Sequence, residues 1–377
     1  MAFFMSIGTV YAQSTTVTQT NGSGSNSIQT AVPFLRITPD ARSGSMGDVG
    51  VAISGDANSL SNNPSKIAFL EEPGGFAVSY SPWLKQIIPD VNLAYLSGFY
   101  HLSNRNTIGA SLRYFSLGQI QLTDQNQQDL GTYNPNEFAL DFTFARNFGY
   151  NLSLASSVRY IYSDLFSGQF VAGQDTRPGT AVAMDLSAFY KSNAVVFNTN
   201  SIFSAGINVS NIGTKLSYVD GGNEEFLPTN LKLGIANTFL LDDENSFTFS
   251  FDLNKLLVPT QPEYDINGKI LRGRDPNRSI TSGIFGSFSD APGGLSEELS
   301  EISFATGMEY WYNQQFALRA GYFYEHPDKG NRRYLTLGAG LKYNVFNIDM
   351  SYLVGDAKKS PLAGILRFGL LFNFGVN

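Results

Sequence analysis

The chain has 377 residues with 42% hydrophobic side chains, a formal net charge of −7 and no cysteine. The acidic balance argues against a nucleic-acid partner, since phosphates are bound by clustered Lys and Arg. Without cysteine there is no disulfide, thiolate metal site or Cys nucleophile. No apolar run approaches the roughly twenty residues of a membrane-spanning helix.

The two histidines, His101 and His326, lie far apart in the sequence. A metal site built on them would need carboxylates at ligand spacing, and none has that spacing. We therefore expect neither a metal nor another cofactor.

The amino-terminal residues predict export. Phe3–Val10 is a short apolar segment, and the residues ending at Ala12 resemble a small-residue cleavage site. We interpret residues 1–12 as a signal peptide that lacks its basic beginning, with an ordinary buried strand as the alternative. Residues 13–30 are rich in Ser, Thr, Gln, Asn and Gly and predict a disordered linker.

Residues 31–74 are irregular, with frequent Gly, Asn, Asp and Pro and short helical possibilities at Asp56–Leu60 and Pro64–Leu70. Such a segment before a barrel is expected to fold back into the lumen as a plug, where its backbone meets polar walls instead of lipid. Glycine turns followed by an Asn-Pro helix start characterise this segment. Its candidate motif residues are Arg42, Met46, Gly47, Asn63 and Pro64.

From residue 75 onwards, apolar side chains alternate with small or polar ones in segments of about ten residues, the length that a tilted strand needs to cross a bilayer. Phe138, Leu140, Phe142 and Phe144 fall on one face of such a segment, and Asp141 falls on the other. We predict an all-β, 14-stranded antiparallel transmembrane β-barrel over residues 75–377. The predicted strands are 75–83, 91–101, 105–117, 137–148, 150–163, 180–191, 201–210, 229–240, 245–255, 301–312, 316–325, 333–343, 346–354 and 363–374.

The connections alternate between short turns and long loops, which is the pattern of outer-membrane barrels. Among the turns at the short-turn end, only Ser192–Asn200 is longer than the others. An even strand number places both termini at that end, so we predict an integral outer-membrane protein with extracellular loops and periplasmic termini. The long loops are Gly118–Asn136, Asp164–Gly179, Asn211–Pro228 and Leu256–Ser300.

Strand alternation points a nearly balanced set of charges into the lumen. An ion-selective pore would tend to carry one sign at a constriction, whereas a balanced set favours mutual pairing across a filled lumen and a low conductance. Ordinary solvated lumen charges are the alternative. The inward residues are Arg113, Arg159, Lys232, Arg319, Lys342, Arg367, Asp141, Asp185, Asp252, Glu309 and Asp349.

Nothing in the sequence indicates a catalytic site. No Ser, His and Asp are placed together, and no G-x-S-x-G motif joins a strand to a helix. Gly221-Gly222 and Gly293-Gly294 lack a following Lys-Ser/Thr and predict flexible loops rather than phosphate cradles. We expect a protein without enzymatic activity.

Two outer loops carry candidate partner-binding residues. Apolar side chains in loops are unusual and resemble the anchors of protein interfaces. For the tryptophan the alternative is a membrane-interface anchor, and for the last long loop it is a self-packed lid. The candidates are Trp83, Leu84, Ile87 and Ile88 in the first outer loop and Phe285 and Phe288 in the last long loop.

Two patches, Ala41–Ala52 and Asp56–Ile67, resemble the amino-terminal region of the long-chain fatty-acid transporter FadL family, in which Asn-Pro-Ala follows a Gly- and Asp-rich run. Ser65 stands where that family has Ala. Within this superfamily, Phe34–Gly47 and Ser81-Pro82-Trp83-Leu84 resemble the PorV (LptO) family of the type IX secretion system.

The resemblance implies a FadL-like barrel with an amino-terminal plug and a non-catalytic role in secretion. Members of the PorV family bind the carboxy-terminal signal domains of secreted cargo and associate with the giant translocon barrel. They deliver cargo to a surface attachment complex that includes the signal-cleaving protease. The alternatives are a FadL-like transporter of hydrophobic small molecules and, from the second family name alone, an enzyme acting on lipopolysaccharide.

Overall fold

The computed structural model describes residues 26–83, 90–123, 129–165, 170–171, 174–355 and 362–375. Fourteen antiparallel strands close into one barrel. In chain order they are β1 (Gly74–Pro82), β2 (Val91–His101), β3 (Asn106–Leu117), β4 (Asn136–Asn147), β5 (Leu152–Asp164), β6 (Gly179–Val196), β7 (Thr199–Gly213), β8 (Asn230–Leu240), β9 (Ser246–Leu256), β10 (Ile302–Tyr312), β11 (Phe316–Tyr324), β12 (Arg333–Tyr343), β13 (Phe346–Val354) and β14 (Leu366–Phe374).

The barrel closes where β1 pairs with β14, from Gly74 opposite Phe374 to Tyr80 opposite Phe368. Closure leaves no strand edge unpaired in the wall, which is the condition for crossing lipid with strands. The predicted fold is confirmed, and each predicted strand overlaps one barrel strand. No helix among the described residues is both long and apolar enough to cross a membrane.

The apolar face of each strand points out of the barrel. On β4, Phe142 is 62% exposed, whereas Asp141 and Thr143 beside it are buried. The last strand repeats the pattern, with Phe368 outside and Arg367 buried inside. Period-two alternation therefore separates a surface suited to lipid from a polar lumen.

The amino-terminal segment fills the lumen as a plug. A 3₁₀ turn at Pro33–Arg36 is followed by the short helix α1 (Ala41–Ser45) and by 3₁₀ turns at Ala57–Ser61 and Pro64–Phe69. Asp40 caps α1, because its carboxylate accepts the Ser43 N–H at 2.7 Å. The predicted irregular and helical plug is confirmed.

The plug runs through the barrel from end to end. At the long-loop end the Ala31 N–H donates to the Phe226 carbonyl at 2.9 Å. At the short-turn end the Leu70 carbonyl lies 3.0 Å from Nε2 of His101. The first described residues therefore lie at the end opposite Phe374, and the prediction that both termini lie at the short-turn end is wrong for them. An even number of strands fixes the end of the barrel at which β1 begins. It does not fix the end at which the plug segment before β1 enters the lumen.

The connection predicted as the loop Ser192–Asn200 is a β-hairpin. β6 and β7 continue into it and turn at Phe197-Asn198, whose φ angles of 50° and 58° are both positive. Two positive φ angles define the type I′ turn that suits a two-residue hairpin. The alternation becomes polar at Ser192 and Asn193, which is why the sequence pattern ended the strand too early.

The long loops contain secondary structure of their own. Short hairpins join Ile120–Thr123 to Asp129–Tyr133 and Glu263–Tyr264 to Ile270–Arg272, and Phe170–Val171 pairs with Gln174–Asp175. The connection from β9 to β10, residues 257–301, is called the long loop below. It also contains the helices α2 (Ile280–Gly286) and α3 (Leu295–Ser300).

Strand glycines let the plug backbone touch the wall. A Cβ built on Gly321 of β11 would lie 1.9 Å from the Met46 carbonyl carbon and 2.1 Å from the Gly47 nitrogen. Gly47 itself has φ +71°, a conformation that side chains disfavour. The plug motif residues Met46 and Gly47 are thus held where only a glycine in the wall leaves room.

Replacing Gly321 by Ala should displace the plug, because the clash involves backbone atoms that cannot rotate away. Overpacking of this kind destabilises a packed site by about 1–3 kcal/mol. We expect a barrel that still assembles but shows stable ion conductance in planar bilayers, and we expect little conductance from the unaltered protein. Gly98→Ala is the control, since its Cβ would face outward with its nearest contact at 3.3 Å. A Gly321→Ala barrel as closed as the parent would contradict this account.

Candidate functional site: the plugged lumen and the loop face

Arg42 of α1 ties the plug to the barrel wall. Its Nε and Nη2 donate to the two carboxylate oxygens of Glu309 at 3.0 and 2.8 Å, a bidentate pair. Glu309 also pairs with Arg319 at 2.6 Å, and Arg319 pairs with Asp349 at 2.5 Å. The plug guanidinium thus extends a chain of charges that runs from β10 to β11 and, across β12, to β13.

A second ionic group stays within the wall. Arg159 of β5 pairs with Asp141 at 2.5 Å and with Asp185 at 2.9 Å, and these carboxylates come from the strands on either side. Arg159 also donates to the Asn211 side chain. The group braces β4, β5 and β6 without contacting the plug through these bonds.

Two further wall residues hold plug backbone. The Asp252 carboxylate accepts the Gly50 and Val51 N–H groups at 2.8 and 3.1 Å. Arg367 donates to the Gly44 carbonyl at 3.3 Å. Both contacts supply partners for main-chain groups that the plug's irregular structure leaves unpaired.

Asn63 and Pro64 start the last 3₁₀ turn of the plug. The Asn63 side chain accepts the Ser65 N–H at 3.2 Å, and its amide donates to the carbonyls of Val51 and Ala188 at 2.9 and 3.0 Å. One amide therefore caps the turn and links it both to the preceding plug segment and to β6.

The structure brings most of the predicted lumen charges into these groups, but not Arg113, Lys232 and Lys342. The Lys342 side chain is exposed near the short-turn end and has no ion pair among the described residues. Sequence reasoning also missed the plug's own charges. Asp56 pairs with Arg42 at 3.3 Å, and the buried Lys66 donates to the Gly50 carbonyl at 2.6 Å. Charged residues inside a Gly-rich segment were the signal that could have revealed them.

A further ionic cluster fastens the long loop over the barrel mouth. Lys255 pairs with Glu298 at 3.0 Å and Glu301 at 2.6 Å, and Lys329 pairs with Glu297 at 2.6 Å and Glu301 at 3.1 Å. Asn26 joins this cluster by donating to Glu297 at 3.0 Å. The amino-terminal arm, the long loop and the loop after β11 are therefore bound together.

Glu325, just after β11, pairs with Arg36 at 3.1 Å and with Arg332 at 2.7 Å. Burial raises the pKa of this carboxyl, but the hydrogen bonds and charge of Arg332, together with the charge of Arg36, outweigh burial and hold the pKa below its ordinary value. The carboxylate therefore stays ionised and keeps the start of the plug attached to the mouth.

Of the candidate partner-binding residues in the first outer loop, the structure describes only Trp83. Leu84, Ile87 and Ile88 lie outside the described residues. Trp83 is only partly exposed, packs against buried apolar clusters and has the Arg367 guanidinium 5.8 Å from its ring. Trp83 therefore packs into the protein at the mouth of the barrel and is not exposed as a partner-binding residue would be.

The long loop displays a set of apolar side chains, here called the apolar loop set. Phe285 is 74% exposed and Phe288 is 50% exposed. The loop beneath them is fixed by Arg278, which pairs with Asp290 at 3.4 Å, and by the Lys255 cluster. The members of the set are Ile266, Leu271, Phe285, Phe288, Leu295 and Leu299.

Between the described residues of the plug and the wall lie an upper cavity at the long-loop end and a lower cavity at the short-turn end. The one near the long-loop end has a volume of about 80 Å³ and is lined largely by charged and amide side chains. The one open toward the short turns has about 490 Å³ and combines Phe69, Phe189 and Trp311 with many charged groups. Arg42 lines the lower cavity and Thr38 the upper one. Among the described residues, no continuous apolar path connects the two cavities.

A family model described as type IX secretion system protein PorV matches residues 19–263. The chain belongs to the PorV family. The match covers the plug and the first nine strands, so the segment that fills the lumen is part of what defines family membership. PorV proteins are components of a secretion system, which agrees with an outer-membrane barrel and with the secretory role that the resemblance implied.

Solved structures with the same architecture are distant in sequence. The toluene transporter TodX of P. putida is 12% identical, with 90% of this chain and 99% of that chain covered and a TM-score of 0.50. The CymD monoaromatic hydrocarbon channel is also 12% identical, covers 89% and 97% and scores 0.50. A Pseudomonas aeruginosa FadL homologue is 10% identical, covers 90% and 99% and scores 0.43. At this identity the two structures that score 0.50 show a shared barrel fold and nothing more. No curated protein sequence matches the chain.

Replacing Arg42 by Met should loosen the plug, because it removes one partner from a buried ion pair. Such a change destabilises by about 3–5 kcal/mol, and about 3 kcal/mol corresponds to a roughly hundredfold change in an equilibrium constant. Hydrogen–deuterium exchange of the amides in residues 43–52 should accelerate to a similar degree. Arg105→Met is the control, since Arg105 is exposed. Unchanged exchange in Arg42→Met would show that Arg42 does not hold the plug.

Proposed function

We propose that this protein is a non-enzymatic carrier of the type IX secretion system. It binds the carboxy-terminal signal domains of secreted cargo and takes them from the giant translocon barrel to the surface attachment complex with its signal-cleaving protease. Membership of the PorV family supports the secretory setting. The observation that carries the finer proposal is a plugged lumen combined with exposed apolar side chains on the long loop.

A filled lumen moves the site of action to the surface of the protein. The upper cavity of about 80 Å³ cannot admit a folded domain, and the plug backbone is bonded to the wall at Asp252, Arg367 and Thr336. Cargo therefore meets this protein from outside the barrel. The partners named above are proteins and the surrounding outer-membrane lipid.

The apolar loop set has the chemistry of a docking surface. Aromatic and aliphatic side chains that become buried supply most of the energy of protein interfaces, and exposed apolar groups on a soluble surface usually mark such interfaces. The ion pairs of Lys255 and Arg278 hold the loop in place before a partner binds. Preorganisation of this kind lowers the entropic cost of ordering the loop when a partner binds.

The orientation is also proposed. Long loops of outer-membrane barrels face the cell exterior and short turns face the periplasm. This orientation places the apolar loop set on the cell surface, where the attachment complex works. Because the plug threads the barrel, it also places Asn26 and its neighbours on the cell surface, while the end of β14 faces the periplasm.

The alternative of a transporter for hydrophobic molecules has less support. The related structures named above are a toluene transporter and a hydrocarbon channel, but their likeness shows the fold only. The part of the lumen that the structure describes offers no continuous apolar path, because charged residues line both cavities and the plug lies between them.

Cysteine accessibility tests the orientation, because the chain has no cysteine of its own. Gln29→Cys on the amino-terminal arm and Ile266→Cys on the long loop, both exposed positions, should react on intact cells with a membrane-impermeant maleimide. Tyr150→Cys, 94% exposed at a short turn, should react only after the outer membrane is opened. Labelling of the Tyr150 site alone on intact cells would reverse the proposed orientation.

Polar replacement in the apolar loop set tests cargo binding. The double variant Phe285→Ser and Leu295→Ser should capture at least about tenfold less cargo with an uncleaved carboxy-terminal domain from a cleavage-deficient strain, since anchor residues contribute about 2 kcal/mol or more each. Phe197→Ser is the matched control, because Phe197 is 90% exposed at the opposite end of the barrel. Heat-modifiable migration should show that both barrels fold. Unchanged capture by the double variant would contradict the proposed docking surface.

A further inference from the structure

We propose that the upper cavity of the lumen is a binding site for a phosphate-type oxyanion, held by Arg113 and Lys232. The cavity lies between the plug segment Leu35–Pro39 and the inner wall, and both cations line it. Neither residue forms an ion pair in the part of the chain that the structure describes. The inference does not depend on the secretory role.

Arg113 is deeply buried, and only some of its N–H donors form hydrogen bonds within the protein. It is 6% exposed, one of its nitrogens donates to the Leu35 carbonyl at 2.8 Å, and its guanidinium lies 5.8 Å from the centre of the Tyr95 ring. A guanidinium carries five N–H donors. The same nitrogen, Nη1, also donates to the Phe34 carbonyl at 3.5 Å. The donors on Nε and Nη2 have no hydrogen-bond partner among the described residues, so they are available to a ligand in the cavity.

Lys232 approaches the same cavity from β8. The carboxylates near these two cations are already engaged. Asp141 accepts from Arg159 and Ser111, and Asp185 accepts from Arg159 and the Asn211 N–H. Asp252 accepts two plug N–H groups through Oδ2, while its Oδ1 has no hydrogen-bond partner among the described residues. Lys232 itself forms no hydrogen bond or ion pair with a described residue.

An amide beside Lys232 is also unsatisfied. Asn254 faces Lys232 directly across the β8–β9 pairing and lines the same cavity. Its side-chain oxygen is buried without a hydrogen-bond partner in the described structure. Amide orientation is assigned from the hydrogen-bond network and is reversed by a flip. A bound oxyanion would accept from the amide nitrogen and from Lys232 together.

The charges around the cavity favour an anion. Its lining holds six cations and three carboxylates, a formal sum of +3. Arg36 and Arg332 share Glu325, Lys329 pairs with Glu301, and Arg159 has two carboxylates of its own. Arg113 and Lys232 remain as the lining cations that form no ion pair among the described residues, although carboxylates lie near both, and buried charges without direct partners are unfavourable. The lining cations are Arg36, Arg113, Arg159, Lys232, Lys329 and Arg332, and the lining carboxylates are Asp48, Glu301 and Glu325.

The size of the cavity selects the ligand class. A volume of about 80 Å³ holds a phosphate group but not a long alkyl chain. Arginine presents a planar fork and lysine a mobile point charge, a combination suited to phosphate. Because Arg113 also holds the Leu35 carbonyl, an anion bound there would hold the upper plug segment against two strands of the wall.

Calorimetric titration of the purified full-length barrel in detergent with sodium phosphate, at constant ionic strength, tests the proposal. We expect saturable binding with one phosphate per barrel. Lys232→Gln should weaken it at least tenfold, whereas Lys342→Gln, which removes an exposed lysine near the other end of the lumen, should leave it unchanged. Arg113→Gln should abolish it. Heat-modifiability checks folding, and Lys232→Gln decides the test if Arg113→Gln does not fold.

Two further probes identify the source of the oxyanion. Tighter binding of dihexanoyl phosphatidic acid than of phosphate, with the same dependence on Lys232, would identify a lipid headgroup. Binding of phosphate alone would identify the free ion. The proposal is overturned if none of the phosphate probes saturates, if Lys342→Gln weakens binding as much as Lys232→Gln, or if decanoate binds more tightly than both phosphate probes.

Discussion

A closed barrel of fourteen strands encloses more space than its own inward side chains can fill. The strands must close because unpaired backbone groups are not tolerated in lipid, and closure at this strand number creates a lumen. In this protein a segment of the same chain fills it. The plug has little regular structure, so its backbone depends on the wall for partners, and Asp252, Arg367 and Thr336 supply them. The buried charges of the lumen are a consequence of filling a polar space with protein.

Because the barrel is built from local strand patterns and the plug is held by contacts distant in the chain, the sequence could predict the strands but not the plug contacts. Alternation with period two is a local property, so it identified the strands and correctly placed residues such as Asp141 and Glu309 on the inner face. It could not identify the partner of Glu309, because Arg42 lies in a different element far away along the chain. It ended β6 early, since Ser192 and Asn193 lack the apolar signal although the hairpin continues to Phe197. Turn parity placed the barrel ends, but the path of the plug depends on tertiary contacts.

A plug bonded on several sides also limits how the protein can act. Bidentate contact of Arg42 with Glu309, the Asp252 contacts and the close approach at Gly321 all fix the same plug segment. Moving that segment would expose several buried charges at once. A function at the loop face requires no such movement, because the long loop has its own braces at Lys255 and Arg278. The distribution of fixed and exposed groups therefore favours recognition outside the barrel over passage through it.

The path of the plug constrains assembly as well. β1 begins at the short-turn end, whereas the residues before the plug lie among the long loops, so the chain passes through the ring that β1 and β14 close. Threading a segment with buried Arg42 and Lys66 through an already closed and packed ring would require these charges to cross a filled lumen. Wrapping the strands around the plug avoids that step, because the wall carboxylates meet their plug partners as each strand is added. If the strands wrap in this order, closure between β1 and β14 follows the seating of the plug, and the plug is the template around which the lumen forms.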